Sequence, residues 1–263
     1  MNEMTTYRWS FLEDVSAYQD AGLNAIGIWR PKFVEFGEER GIELIRDSGL
    51  AVSSLSWAGG FTGSNEHSFL EALDDARDAV RVGGALNAEC LVIISGSRAG
   101  HTVNHARRLL VDALRSLGDL AAEHQLPLAV QPMHSMFTRE WTFLTTIDQT
   151  LDVLDRCDHE YVQLAFDVYH LWQEPRLLER IPQIAPRVAV VQLSDWSNPP
   201  RSENDRCLPG DGEIPLNEIV TAFAESDYEG YFELEVWSQK IWNSDYQKLL
   251  ATCRSRFGDI FCR

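Results

Sequence analysis

Four apolar runs in the chain end in a side chain that carries oxygen: LAVQ at Gln131, LAFD at Asp167, AVVQ at Gln192 and ELE at Glu235. Carboxylates and amides gathered in one mouth can hold a hard divalent cation, and a carboxylate kept from water can carry protons. The stretch YVQLAFDVYH, residues 161–170, shows the pattern most clearly. Val162, Leu164, Ala165 and Phe166 lead to Asp167, and an imidazole follows at His170. A strand buried on both faces reads this way, with polar groups only where it leaves the sheet. Two plainer arrangements fit the spacing equally well. Asp167 can cap the next helix, and the two glutamines can hydrogen-bond the two acids with no metal among them.

Parallel strands in regular alternation with helices would bring these residues together. Strands are expected at 4–9, 24–29, 50–57, 89–94, 127–131, 161–167, 188–193 and 231–236. Helices are expected at 11–21, 35–48, 66–83, 105–124, 145–156, 176–184, 215–225 and 244–256. Ser10 can cap the first helix and Gly22 stop it, and in the fifth Leu109, Leu110, Ala113, Leu117 and Leu120 follow the helical period. Eight βα units close into a (β/α)8 TIM barrel, an α/β fold whose strands present their carboxyl ends on one face. The competing open sheet would carry a Gly-rich turn after its first strand, and TTYRWSF has none. No Gly/Ser run or Pro-rich spacer divides residues 1–263, so a single domain is expected.

The 263 residues carry 40 acids against 23 Lys and Arg, a net charge of −17. Such a surface repels nucleic acid and anionic membranes, and neither is expected as a partner. The five cysteines, at 90, 157, 207, 253 and 262, form no CxxC pair and read as reduced thiols of a cytoplasmic protein. The opening MNEMTTYRWSF lacks the basic and apolar regions of a signal peptide, and no apolar run is long enough to span a membrane. SGSRAG at 95–100 lacks the Lys and Ser/Thr pattern of a nucleotide loop, so no nucleotide cofactor is expected.

The phrases QPMH (131–134), FDVYH (166–170), VVQLSDW (190–196), LPGDGEIPL (208–216) and ELEVW (233–237) resemble the xylose-isomerase-like barrel superfamily of sugar isomerases and epimerases. In that family a Glu, an Asp, a His and a Glu end strands five to eight and bind a divalent metal, and the two glutamates move protons. A His three residues after the Asp touches the sugar, and His170 matches it. By this resemblance Asp167 and Glu235 keep the pattern, whereas Gln131 and Gln192 replace a Glu and the His. An amide is no base, so a two-carboxylate shuttle is not available. The implied metal set of Gln131, Asp167, Gln192 and Glu235 offers only oxygen. It would hold Mg, Mn or Ca weakly or stand empty.

All eight tryptophans follow strand ends. Trp57, Trp196 and Trp237 are expected to line a sugar-sized pocket, and Trp141 and Trp242 to pack loops on the rim. His134, His170 and Arg206 are further candidates for substrate contact; Arg201 shares the loop of Arg206, and the two either neutralise an acidic sugar or lie exposed; His101 and His105 are weaker, and Asp195 orients a loop or caps a turn. The leading expectation is an isomerase, epimerase or related lyase acting on a small carbohydrate, with Glu235 and His170 catalytic. The alternative is a degenerate barrel that binds a carbohydrate or serves as a partner subunit. The endonuclease branch of the fold is disfavoured by the charge and the missing imidazoles. The oligomeric state is open, a homo-oligomer included.

Overall fold

Seven parallel strands pair in chain order: β1 (Ala25–Trp29), β2 (Ala51–Gly59), β3 (Leu91–Ile94), β4 (Leu128–Gln131), β5 (Val162–Asp167), β6 (Val188–Leu193) and, after a short two-stranded ribbon, β9 (Tyr231–Leu234). The ribbon is β7 (Asp195–Trp196) against β8 (Arg206–Cys207), antiparallel. The structure is a computed structural model that describes residues 1–64 and 66–261. Every residue of β3, β4 and β6 is buried, as helices outside the sheet and side chains within it require. The seven strands curl into a nearly closed TIM barrel with the helices around it.

The expected first strand, 4–9, is not one. Residues 3–9 lie in turns, and the barrel is closed instead by residues 1–3. Asn2 bridges Gly27 of β1, its N–H donates to Leu234 O of β9 at 2.8 Å, and Glu3 N–H donates to Gly27 O at 2.9 Å. The cause is turn chemistry. Asn2 Oδ1 accepts from Met4 N, and the Thr5 and Thr6 amides turn back onto the Asn2 and Glu3 carbonyls. A side chain that satisfies the backbone two residues on ends an extended run whatever the β propensity of Thr, Tyr and Trp.

Helix starts follow their caps. Ser10 with Glu13 and Ser68 with Glu71 form reciprocal capping boxes for helices Phe11–Asp20 and Phe69–Ala85. Thr102 caps Val103–Glu123, whose Leu110, Leu114 and Leu117 are buried in the layer between helices and sheet. The expected helix at 35–48 is two, Arg30–Phe36 and Glu38–Ser48, broken at Gly37. No helix of the described residues is long and apolar enough to cross a membrane. Cys90, Cys157, Cys207 and Cys253 are thiols; Cys262 lies outside the described residues.

Beneath the first βα loop, Lys32 Nζ meets Asp14 Oδ2 at 2.6 Å with both side chains buried, and also donates to the Glu3 and Thr6 carbonyls. Burial pushes the Asp14 carboxyl up, and Lys32 opposes it. A Lys32→Met variant strands that acid and is expected to lose about 3–5 kcal/mol at neutral pH in urea unfolding. The loss should shrink as the pH falls, because a protonated Asp14 needs no cation.

Candidate active site

At the carboxyl ends of the strands, Gln131, Asp167, Gln192 and Glu235 converge and are all buried. Gln131 Nε2 donates to Asp167 Oδ2 at 3.2 Å and to Gln192 Oε1 at 3.1 Å. Gln192 Nε2 in turn donates to Glu235 Oε2. The ring of amides and acids is thus linked by hydrogen bonds from β4 round to the end of β9. Asp167 Oδ1 accepts from Tyr169 N at 2.9 Å, capping the single turn Val168–Leu171 that carries His170.

Arg206, on β8, reaches into this ring. Its Nη1 donates to Asp167 Oδ2 at 2.9 Å and its Nη2 lies 3.2 Å from His170 Nε2. The guanidinium sits 4.5 Å from the Tyr169 ring centroid and 5.9 Å from that of Trp237. A guanidinium only donates, so His170 Nε2 must carry the lone pair and Nδ1 the proton. Burial, and then the neighbouring Arg206, hold the His170 imidazole well below its ordinary range, so it is neutral. Its 3.5 Å approach to Asp167 is therefore no ion pair.

Glu235 is the titratable group of the mouth. Its Oε1 accepts from Trp237 Nε1 at 2.7 Å. Burial drives its carboxyl up to about 8; Arg206 pulls it down, while Asp167 and Glu233 push it further up. Burial also raises Asp167, against the pull of Arg206. The cavity above Glu235 measures about 110 Å³, with Trp57, Trp141 and Trp237 among its walls and Glu203 and Asn204 at its lip. A larger cleft, about 620 Å³, lies between outer helices and is lined by arginines that face solvent, away from the strand ends. Ser56 Oγ, His170 Nδ1 and Arg206 Nε are buried without a hydrogen-bond partner, and all three residues line the small cavity.

The aromatic wall differs from expectation at two positions. Trp141 lines the cavity, 5.4 Å from Trp57 and 5.9 Å from Trp237 between ring centroids. The Gly96–Thr142 bridge holds its loop over the mouth. Trp196 does not line it. Its buried ring packs instead against Tyr169 at 4.8 Å and His134 at 5.1 Å between centroids. His134 likewise stays off the cavity; its Nδ1 accepts from Met136 N to start a short turn. Trp242 packs as expected, donating to Met4 O.

A model of the xylose isomerase-like TIM barrel family matches residues 15–256. The chain belongs to that family. Among its relatives is the hydroxypyruvate isomerase of Escherichia coli K12, 26% identical over 185 residues that cover 68% of each chain. The 3-dehydroshikimate dehydratase of Pseudomonas putida is 22% identical over 86% of this chain, which spans only 36% of that enzyme. Among solved structures, protein SMc04130 of Sinorhizobium meliloti 1021 matches with a TM-score of 0.93 at 28% identity, covering 99% of this chain and 97% of that one. The IOLI protein, solved with a bound zinc atom, shares the fold at a TM-score of 0.85 and 18% identity, over 99% and 96% of the two chains.

Within this xylose isomerase-like barrel the strand-end groups do not fit a divalent cation. Gln131 turns amide hydrogens, not lone pairs, toward Asp167 and Gln192, and the Arg206 guanidinium already occupies Asp167 Oδ2. Among the described residues no three His, Cys, Asp or Glu side chains gather as a metal would require.

One acid of the mouth, Glu233, lies outside the candidates read from the sequence. Glu233, two residues before Glu235 and on the same strand face, accepts from Ser54 Oγ at 2.9 Å and Asn2 Nδ2 at 2.9 Å, deeper in the barrel. The period of two along ELEVW is the signal that shows it. Asp195 accepts from the Gly210, Gly212 and Ile214 amides and so gathers the loop behind β8. Arg201, by contrast, is exposed, and His101 and His105 stack on each other away from the mouth.

Proposed function

We propose that the chain is a sugar-modifying enzyme that moves a proton at a carbon beside a carbonyl, with Glu235 as the proton carrier. The observation that carries this reading is Glu235 itself: a buried carboxyl near pH 8 at the floor of a tryptophan-walled cavity. A group poised near the working pH both accepts and returns a proton. The names of the relatives, an isomerase and a dehydratase of small hydroxy or keto compounds, support the same class.

In the first step the substrate C–H bond breaks, the proton passes to a Glu235 oxygen, and the electron pair moves into an enolate. The unpartnered N–H groups of Arg206 and His170 are the donors for the enolate oxygen. His170 therefore positions and donates; its low pKa makes it a poor proton carrier. Glu235 then delivers the proton to the former carbonyl carbon while the proton of the substrate's adjacent hydroxyl passes to the enolate oxygen, giving an isomer; or it protonates a departing β-hydroxyl as the enolate collapses, giving water and an alkene conjugated with the restored carbonyl. Epimerisation needs a second carrier on the opposite face, and the group there, Gln131, is an amide. A cavity of about 110 Å³ favours a short-chain keto acid or keto sugar, since pockets for larger ligands run from ~300 Å³ upward.

Proton exchange tests this directly. Short α-hydroxy ketones and keto acids incubated in D2O should lose NMR signal beside the carbonyl with wild-type protein and not with Glu235→Gln. The rate should climb as the pH rises toward about 8 and then level off, because the base form of Glu235 takes the proton. Carbohydrate binding without exchange by any member of the panel would make the barrel a binding protein.

A further inference from the structure

Two acidic side chains, Asp167 and Glu235, are buried at the barrel mouth, and the buried cation Arg206 ends on Asp167 at 2.9 Å. We propose that Arg206 is a resident cation that takes the place of a divalent metal in this barrel, so that the mouth binds no metal ion and its chemistry is metal-independent. The chemical part of this claim rests on the proton-transfer reading above; the exclusion of metal does not.

The guanidinium is built in on every side. Its backbone is fixed by pairing with Trp196 across the ribbon and by Arg206 N donating to Trp237 O at 3.0 Å. The neighbouring Asp205 bridges Ser238, so the segment is tied to the chain that follows β9 as well as to β7. Tyr169 and Trp237 supply aromatic faces within cation–π range. The side chain is 5% exposed and ends on a fully buried Asp167. A divalent ion seated on Asp167 would have to displace this contact and stand beside a positive charge in a site poor in water.

The amides complete the exchange. With a fixed monocation in place of a dication, three carboxylates and an imidazole are not needed around it. The Gln131 and Gln192 N–H groups are instead directed at acid oxygens: Gln131 shares Asp167 Oδ2 with Arg206, and Gln192 donates to Glu235 Oε2. Arg206 Nε is left buried and unpartnered at the cavity, a donor available to a substrate oxygen.

The test is calorimetric titration of chelator-treated protein with zinc, manganese and magnesium, accompanied by circular dichroism. Wild-type protein is expected to show no site up to millimolar metal. An Arg206→Ala/Gln131→Glu/Gln192→His variant, which removes the guanidinium and supplies metal donors, should bind zinc or manganese at least ~100-fold more tightly than the same variant retaining Arg206. Micromolar binding by wild type that Asp167→Asn abolishes would overturn the proposal. So would equal metal affinity in the two variants while both are folded. Deuterium exchange by wild type should survive chelator; loss with restoration by added metal would also overturn it. Titration needs no substrate, so a failed exchange assay tells against the enzyme reading alone.

Discussion

A Glu235→Gln variant is expected to lose turnover by ~10³-fold or more and to become more stable relative to wild type as the pH rises. The loss of activity follows because the remaining strand-end groups cannot substitute. Gln131 and Gln192 are amides, and Asp167 is held by Arg206 and the Tyr169 amide. The gain in stability follows from linkage. Glu235 has a folded pKa of about 8, raised from 4.5 chiefly by burial. A raised carboxyl pKa means that the folded state holds a proton which the unfolded chain has released. The associated stability is complete below about pH 4.5 and is lost as the pH climbs to about 8. Glutamine does not titrate, and it can still accept from Trp237 Nε1. The difference between variant and wild type should therefore widen across that window, reaching about 3 kcal/mol near neutrality at ~1.4 kcal/mol per pH unit. Urea unfolding at a series of pH values measures it. A constant difference across the series would show that burial does not set the Glu235 pKa.

A large structural loss is expected from Gly59→Ala. Gly59 ends β2 at φ +135°, and a Cβ there would lie 1.9 Å from Ile94 O of β3. That obstacle is backbone within the sheet, so no side-chain rotation relieves it, and the φ value is one that only glycine adopts readily. Accommodation must part β2 from β3 just beyond Trp57, a wall of the cavity. A cost above about 3 kcal/mol is expected, with a shift in tryptophan fluorescence. A variant that melts with wild type would mean that the two strands separate at little cost.

Much of the barrel was legible in the amino-acid sequence because most strands are apolar runs and several of the helices between them start at a Ser or Thr cap. Such runs have few other places to go. The first strand was not legible for the opposite reason: Asn2 and the following threonines satisfy their own backbone locally, and residue-by-residue β propensity does not register that. At the site, Asp167 and Glu235 stand out as acids ending apolar strands. Arg206 does not. It shares a polar loop with Arg201, five residues earlier, and one is buried against Asp167 while the other is exposed. Only the pairing of β7 with β8 distinguishes them, and a two-residue ribbon leaves no periodic trace. Trp141 follows no strand closely, so its spacing reads as a rim residue; the loop that carries it over the mouth is fixed by Thr142 pairing with Gly96.

The contact of Asn2 with Glu233 joins residues 231 positions apart. A chain emerging in order holds its first residues long before their partners exist. Until residues 231–236 are made, the Asn2 amide beside β1 has no Leu234 carbonyl to pair with, and Asn2, Ser53 and Ser54 have no Glu233 to donate to. Closing so long a loop costs entropy that no local contact repays early. Barrel closure is thereby placed at the end of folding, and the mouth, where Arg206 and Glu235 come together, is assembled by that same final event.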